Sequence, residues 1–256
     1  MSTRVRKYLA PAFACIALLA LGLPTRAAGI SDECKTPSPA LDLGATLPHT
    51  LTRLVNGRPV KIVAFGSSST AGAGASDAGH AYPSQLADAL GRLFPKSHVA
   101  VLNKGVNGEQ TADMLSRLDR DVLAEHPDLV IWQSGSNEIL AKSDPAVFRR
   151  QMLDGLARLK SAGVEVVLMD AQFAPRILEN PDYGAFNEAL REIAHRGRIA
   201  MFDRFEVMRS WLASGKEDEA TFVAKDQLHM TDAGYRCVGQ LLAHAIASQP
   251  SAVAVR

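Results

Sequence analysis

The 256-residue chain is poor in cysteine, poor in aromatic residues and almost without net charge: three cysteines, 6% Phe, Trp and Tyr together, and a formal charge of +1. Balanced charge, with no Lys/Arg cluster beyond the N-terminus, excludes the concentrated basic surface that tracks phosphates, so nucleic acid is not an expected partner. So few cysteines exclude a fold built on a disulfide framework. No Cys/His spacing of a zinc site occurs. Gly72-Ala73-Gly74-Ala75 lacks both the Gly-Lys-Ser/Thr ending of a phosphate loop and the Gly-x-Gly-x-x-Gly register. No cofactor and no metal are therefore expected.

The chain has one long apolar run, Tyr8 to Leu23, preceded by Arg4, Arg6 and Lys7 and followed by Thr25-Arg26-Ala27-Ala28. That order is the pattern of an export signal over residues 1–27, cleaved after about Ala27, and it predicts a periplasmic or secreted protein with no membrane span in the mature form. A retained anchor is the alternative, although the run is shorter than the ~20 residues that span a bilayer. Cys15 lies in the middle of the run, where lipidation would strand apolar residues on the mature chain. Losing the signal leaves Cys34 and Cys237, either as a disulfide or as two thiols.

Residues 28–58 are rich in Pro, Thr, Ser and Gly and read as an irregular arm; residues 59–256 form the domain. Short β-branched runs at 60–65, 98–102, 128–133, 164–169 and 199–202 predict strands buried on both faces. Helical stripes lie between them: Leu86, Leu90 and Leu93; Met114, Leu115, Leu118 and Val122; Phe148, Met152, Leu156 and Leu159; Ala185, Leu190 and Ile193. A last helix from Thr231 presents Tyr235, Val238 and Leu242. Alternation of strand and helix predicts an α/β fold with right-handed crossovers and a parallel sheet.

Four short islands carry the chemistry: Gly66-Ser67-Ser68-Ser69-Thr70, Gly105-Val106-Asn107-Gly108, Gly135-Ser136-Asn137-Glu138 and Asp226-Gln227-Leu228-His229. The first and third sit where strand-like runs end, the place where open α/β sheets build ligand crevices. Among seven histidines, His229 alone lies three residues after an Asp at the start of the predicted C-terminal helix. A carboxylate so placed orients the imidazole and supports its charged form. Glu138 and Asp170 could be mistaken for a glycosidase pair, but nothing in the sequence fixes their separation. Gln133, Gln172, Phe173 and Arg176, near predicted strand ends, are candidates to shape a substrate pocket, and His80 to line the cleft.

In this order the islands resemble the SGNH hydrolases, the GDSL esterase and lipase family, over roughly residues 59–246. One departure is that Ser67 stands where the family has Asp. The resemblance implies a flavodoxin-like three-layer α/β/α sandwich with a five-stranded parallel sheet in the order 2-1-3-4-5. It also implies Ser68 as nucleophile, His229 as base oriented by Asp226, and an oxyanion hole of the Ser68 and Gly108 backbone N–H groups and the Asn137 side chain. A glycine at 108 fits a positive φ or a close backbone approach. The expected activity is hydrolysis of carboxylic esters through an acyl-enzyme. Short acyl groups such as acetyl, on small molecules or envelope glycans, are favoured by short catalytic loops and the lack of an apolar lid. A lysophospholipase, a thioesterase or an acyltransferase would use the same residues. Neither the oligomeric state nor the natural alcohol is legible.

Overall fold

A computed structural model describes residues 30–36, 41–215 and 217–249. The segment read as an export signal lies outside them. Five strands form one parallel sheet: β1 (Val60–Gly66), β2 (Val99–Gly105), β3 (Leu129–Gln133), β4 (Glu165–Met169) and β5 (Ala200–Phe202), in the order β2-β1-β3-β4-β5. This is the predicted order. The strand sequence reverses at β1, which pairs with both β2 and β3, so the switch point lies between β1 and β3.

The helices between are α1 (Pro48–Val55), α2 (Ser68–Ala71), α3 (Tyr82–Leu93), α4 (Thr111–Asp121), α5 (Ser136–Leu140), α6 (Pro145–Ser161), α7 (Pro175–Leu178), α8 (Tyr183–Gly197), α9 (Arg204–Ala213), α10 (Glu219–Phe222) and α11 (Asp232–Ala247). Helices α3 and α11 pack together, and α6 packs against both α4 and α8. The two groups cover the sheet, completing three layers. β1 is almost wholly buried and β3 entirely so, as continuous apolar runs require, with Trp132 and Phe65 in contact at 5.9 Å between ring centroids.

Three expectations need correction. β2 is half-buried along most of its length as an uncovered edge strand, whereas β5, the other edge, is buried, with the Leu43 carbonyl of the arm accepting the Met201 N–H at 2.9 Å. Ala185 is exposed, and Phe186 and Ala189 carry the buried face of α8 with Leu190 and Ile193. The arm is not wholly irregular: α1 buries Leu51 and Leu54, and the Glu165 carboxylate on β4 accepts the His49 and Thr50 N–H groups at 2.8 and 2.9 Å. A cap supplied from over a hundred residues away leaves no local signature. Cys34 and Cys237 are joined by a disulfide with Cα atoms 5.0 Å apart, which ties the start of the arm to α11.

Candidate active site

Helix α2 begins immediately after β1, so its first residue, Ser68, stands at the carboxyl edge of the sheet beside the switch point. Of the three consecutive serines, Ser67 and Ser69 are each 1% exposed, and Ser68 alone reaches solvent. Ser67 turns inward: its backbone N–H and its hydroxyl both donate to Gln133 Oε1, at 3.0 and 3.1 Å, and Thr70 Oγ1 donates to the same oxygen at 3.2 Å. The turn is held from below by the end of β3 while its middle hydroxyl is left free to act.

Ser68 Oγ lies 2.9 Å from His229 Nε2, and His229 Nδ1 lies 2.5 Å from Asp226 Oδ2. With Nδ1 protonated and donating to the carboxylate, Nε2 presents its lone pair to the serine hydroxyl. Asp226 to His229 form a loop ahead of α11 rather than its first turn. Asp226 Oδ1 accepts the N–H groups of Leu228 and His229, each at 3.0 Å, an Asx-type turn that needs Gln227 at φ 60°. Partial burial pushes the Asp226 carboxyl up. The bonds from the His229 ring and from the His229 and Leu228 N–H groups outweigh it and hold the group below the usual carboxylate range. The Gly-rich loop passes so close that a Cβ on Gly74 would lie 2.9 Å from His229 Cβ, so only glycine fits.

The second and third islands meet each other through Glu109. Asn137, in the first turn of α5, donates Nδ2–H to the Glu109 carbonyl at 2.7 Å, which fixes the amide and leaves its second N–H for another acceptor. Gly108 has φ +79° and nothing within 4 Å of where a Cβ would stand. Its glycine answers to backbone conformation and not to crowding. Arg117 on α4 anchors this loop: it grips the Glu109 carboxylate through Nε (2.7 Å) and Nη2 (2.5 Å), donates to the Gly66 carbonyl at 3.2 Å, and lies 4.5 Å over the Phe65 ring.

The other candidates do not join the bonded chain of Ser68, His229 and Asp226. Gln133 and Gln172 are 0% and 1% exposed, so they do not line a pocket. Phe173 packs edge-on against Phe205 at 5.1 Å, and Arg176 is exposed beside the base loop, its backbone N–H donating to the Gln227 carbonyl at 3.1 Å. His80 bonds to Ser76 and Asp77 rather than to Ser68, Asp226 or His229. Glu138 is buried against Thr111, which donates its N–H and hydroxyl to Oε1, and Asp170 is buried under Phe205, so neither can flank a glycosidic bond. The only group of potential metal ligands among the described residues is Glu33, Cys34 and Cys237, whose two thiols are spent in the disulfide. Among those residues no helix is long and apolar enough to cross a membrane. Arg117 and Glu109 escaped the sequence reading, because a charged pair beside a turn resembles any solvated surface pair.

The model of the non-GDSL lipase-like family matches residues 33–251. An arylesterase of Vibrio mimicus is 32% identical over 94 residues, 37% of this chain and 46% of the relative. An acetylxylan esterase of Geobacillus stearothermophilus is 30% identical over 66 residues, 26% of this chain and 30% of the relative. The chain thus spans less than half the length of either relative. Among solved structures, a two-domain esterase active on acetylated mannans superposes with a TM-score of 0.68 at 19% identity, covering 82% of this chain and 56% of that one, a likeness of fold.

Proposed function

The chain belongs to the non-GDSL lipase-like family and is an SGNH hydrolase, an enzyme that hydrolyses esters; on that premise we propose an exported serine esterase that removes short acyl groups, acetyl foremost, from carbohydrates. The observation that carries the reading is the continuous chain of hydrogen bonds from Ser68 Oγ through His229 to Asp226. In this reading Ser68 gives its proton to His229 Nε2 as its oxygen attacks the ester carbonyl. The developing oxyanion takes hydrogen bonds from the Ser68 and Gly108 N–H groups and from the free N–H of Asn137. His229 then protonates the departing alcohol, and water repeats the sequence on the acyl-enzyme.

Two observations support export: the basic-then-apolar N-terminus and the disulfide between Cys34 and Cys237, a bond that persists in oxidising compartments. The acetylated-carbohydrate substrate is supported by the similarity to esterases of acetylated xylan and mannan. The test is a series of chromogenic esters of increasing acyl length, run beside acetate release from O-acetylated xylan and mannan, with wild type and Ser68→Ala. Turnover should fall with chain length and vanish in the variant. A preference for long acyl chains would replace this reading with a lysophospholipase, and an active Ser68→Ala would end it.

A further inference from the structure

Ser68, Asn137 and His229 are each flanked by a residue that touches one buried side chain. Gln172, just past the end of β4, is 1% exposed. Its Oε1 accepts from Ser136 Oγ at 2.8 Å, from Arg204 Nη2 at 3.0 Å and from Ser69 Oγ at 3.4 Å, and its Nε2 donates to the Leu228 carbonyl at 3.1 Å. Ser69 follows Ser68 in the chain, Ser136 precedes Asn137, and Leu228 precedes His229. One carboxamide therefore bridges the segments of the nucleophile, the oxyanion donor and the base, which are otherwise brought together from sequence separations of up to 161 residues.

The orientation of this amide is dictated by its neighbours. Reversed, its NH₂ would face the Arg204 guanidinium and its oxygen would face a carbonyl, losing the acceptor and the donor at once. Arg204 is itself wholly buried, and it makes its hydrogen bonds through Nη2, to Gln172 and to the Asp170 carbonyl at 2.6 Å. The Gln172 oxygen is one of the two acceptors that this buried cation bonds, so turning the amide would leave a charged donor unsatisfied. The cation thereby locks the amide, and the locked amide ties the three segments.

We propose that Gln172 is the positioning residue of this site, setting the spacing between Ser68, His229 and Asn137 through the residues beside them. The inference rests on the assignment of ester hydrolysis to those three. Misplacement of catalytic groups by about 1 Å costs roughly 10²-fold in rate. Gln172→Met, which keeps the volume and removes every bond, should lower kcat on a chromogenic acetyl ester by about that factor while KM stays within about threefold. Gln172→Glu keeps an oxygen for Ser136 and Arg204 but sets its second oxygen against the Leu228 carbonyl, so it should recover only part of the loss. Thermal melts establish that each variant is folded at the assay temperature.

A folded Gln172→Met with kcat within about threefold of wild type, or with KM rising in place of the fall in kcat, overturns the proposal. If the Met variant does not fold, Gln172→Glu decides by the same criterion: a depressed kcat at unchanged KM supports the assignment, and a wild-type kcat overturns it. Ser68→Ala in the same assay separates the two levels. If it is inactive while the Gln172 variants behave as wild type, only the positioning role falls; if it stays active, the assignment of the site falls first.

Discussion

Replacing Asp226 by Asn exchanges one oxygen for an NH₂ group and should reverse the polarity of the whole site. The carboxylate does two jobs: Oδ2 accepts from the His229 ring, and Oδ1 accepts the Leu228 and His229 N–H groups. In the Asp226→Asn side chain a single oxygen remains. If it stays with the two backbone donors, the NH₂ group meets Nδ1, which must then accept; the ring proton moves to Nε2, and the imidazole can no longer take the proton of Ser68. If the amide turns over to serve Nδ1, its NH₂ faces two N–H groups. Two donors against one favour the first arrangement. For a buried triad this error costs about 10⁴ in kcat. The Asp226 side chain is 45% exposed, so water screens part of the charge effect and lets the amide adjust; we expect a loss of about 10²–10³ in kcat, at least as large as that of Asp226→Ala. The assay is steady-state hydrolysis of a chromogenic acetyl ester by wild type and both variants, with melting curves as a control on folding. Activity of the Asn variant within about tenfold of wild type would refute the assigned tautomer and with it the role of Asp226.

Asn137→Ala should lower kcat by about 10²–10³ with little change in KM, since the lost bond strengthens only as charge develops on the oxyanion; a change confined to KM would place Asn137 in ground-state binding instead. Cys34→Ser with Cys237→Ser should lower stability to denaturant by up to about 5 kcal/mol, the loop-closure value for a 203-residue separation, less what native strain removes; identical midpoints with and without reductant would show that the bond contributes nothing. Asp170 offers a pH test. Burial first, and then the neighbouring Asp203 carboxylate, push its carboxyl well above the ordinary range. A group whose folded pKa is raised in this way opposes folding above its unfolded value of about 3.9 and costs nothing below it. Asp170→Asn, whose oxygen can still accept the Phe205 N–H, should therefore melt higher than wild type near pH 8 and alike near pH 4, by calorimetry at both; a lower melting temperature near pH 8 would show that the charged form is needed.

The strands were legible within about three residues of their observed ends, because a parallel sheet buried by helices writes itself as short β-branched runs. The islands were legible for a different reason: each is a short local turn whose residue types stand together in the sequence. What stayed hidden connects distant segments. Glu165 caps α1 across more than a hundred residues, and Gln172 reaches Ser69 across 103 and Leu228 across 56. A lone Gln near a strand end carries no periodic signature, so sequence reading assigned Gln133 and Gln172 to a pocket surface when both lie beneath the site. The placement of His229 in a loop was hidden likewise. Its turn is built by the Asp226 side chain, which imitates the hydrogen bonds of a helix start without continuing into one.

The serine at position 67 shows how a departure from a family pattern is absorbed. Ser67 presents two donors to Gln133 Oε1, which also accepts from Thr70, while Gln133 Nε2 finds no partner among the described residues. An Asp side chain at 67 would set carboxylate oxygens against that amide oxygen in a place sealed from water. The amide would have to turn and give Nε2–H to the carboxylate, abandoning the Ser67 N–H and the Thr70 hydroxyl. Residues 67 and 133 are therefore matched: a hydroxyl donor here calls for an amide oxygen there. Ser68 does not share in that choice. Ser68 is placed by the backbone of the turn, in which the Ser67 carbonyl accepts the Thr70 and Ala71 N–H groups at 3.0 and 2.9 Å, and any residue at 67 supplies that carbonyl. The position next to Ser68 is thus coupled to the sheet beneath it and uncoupled from the bond to His229, which is why the pattern can change at 67 while the geometry of Ser68 is preserved.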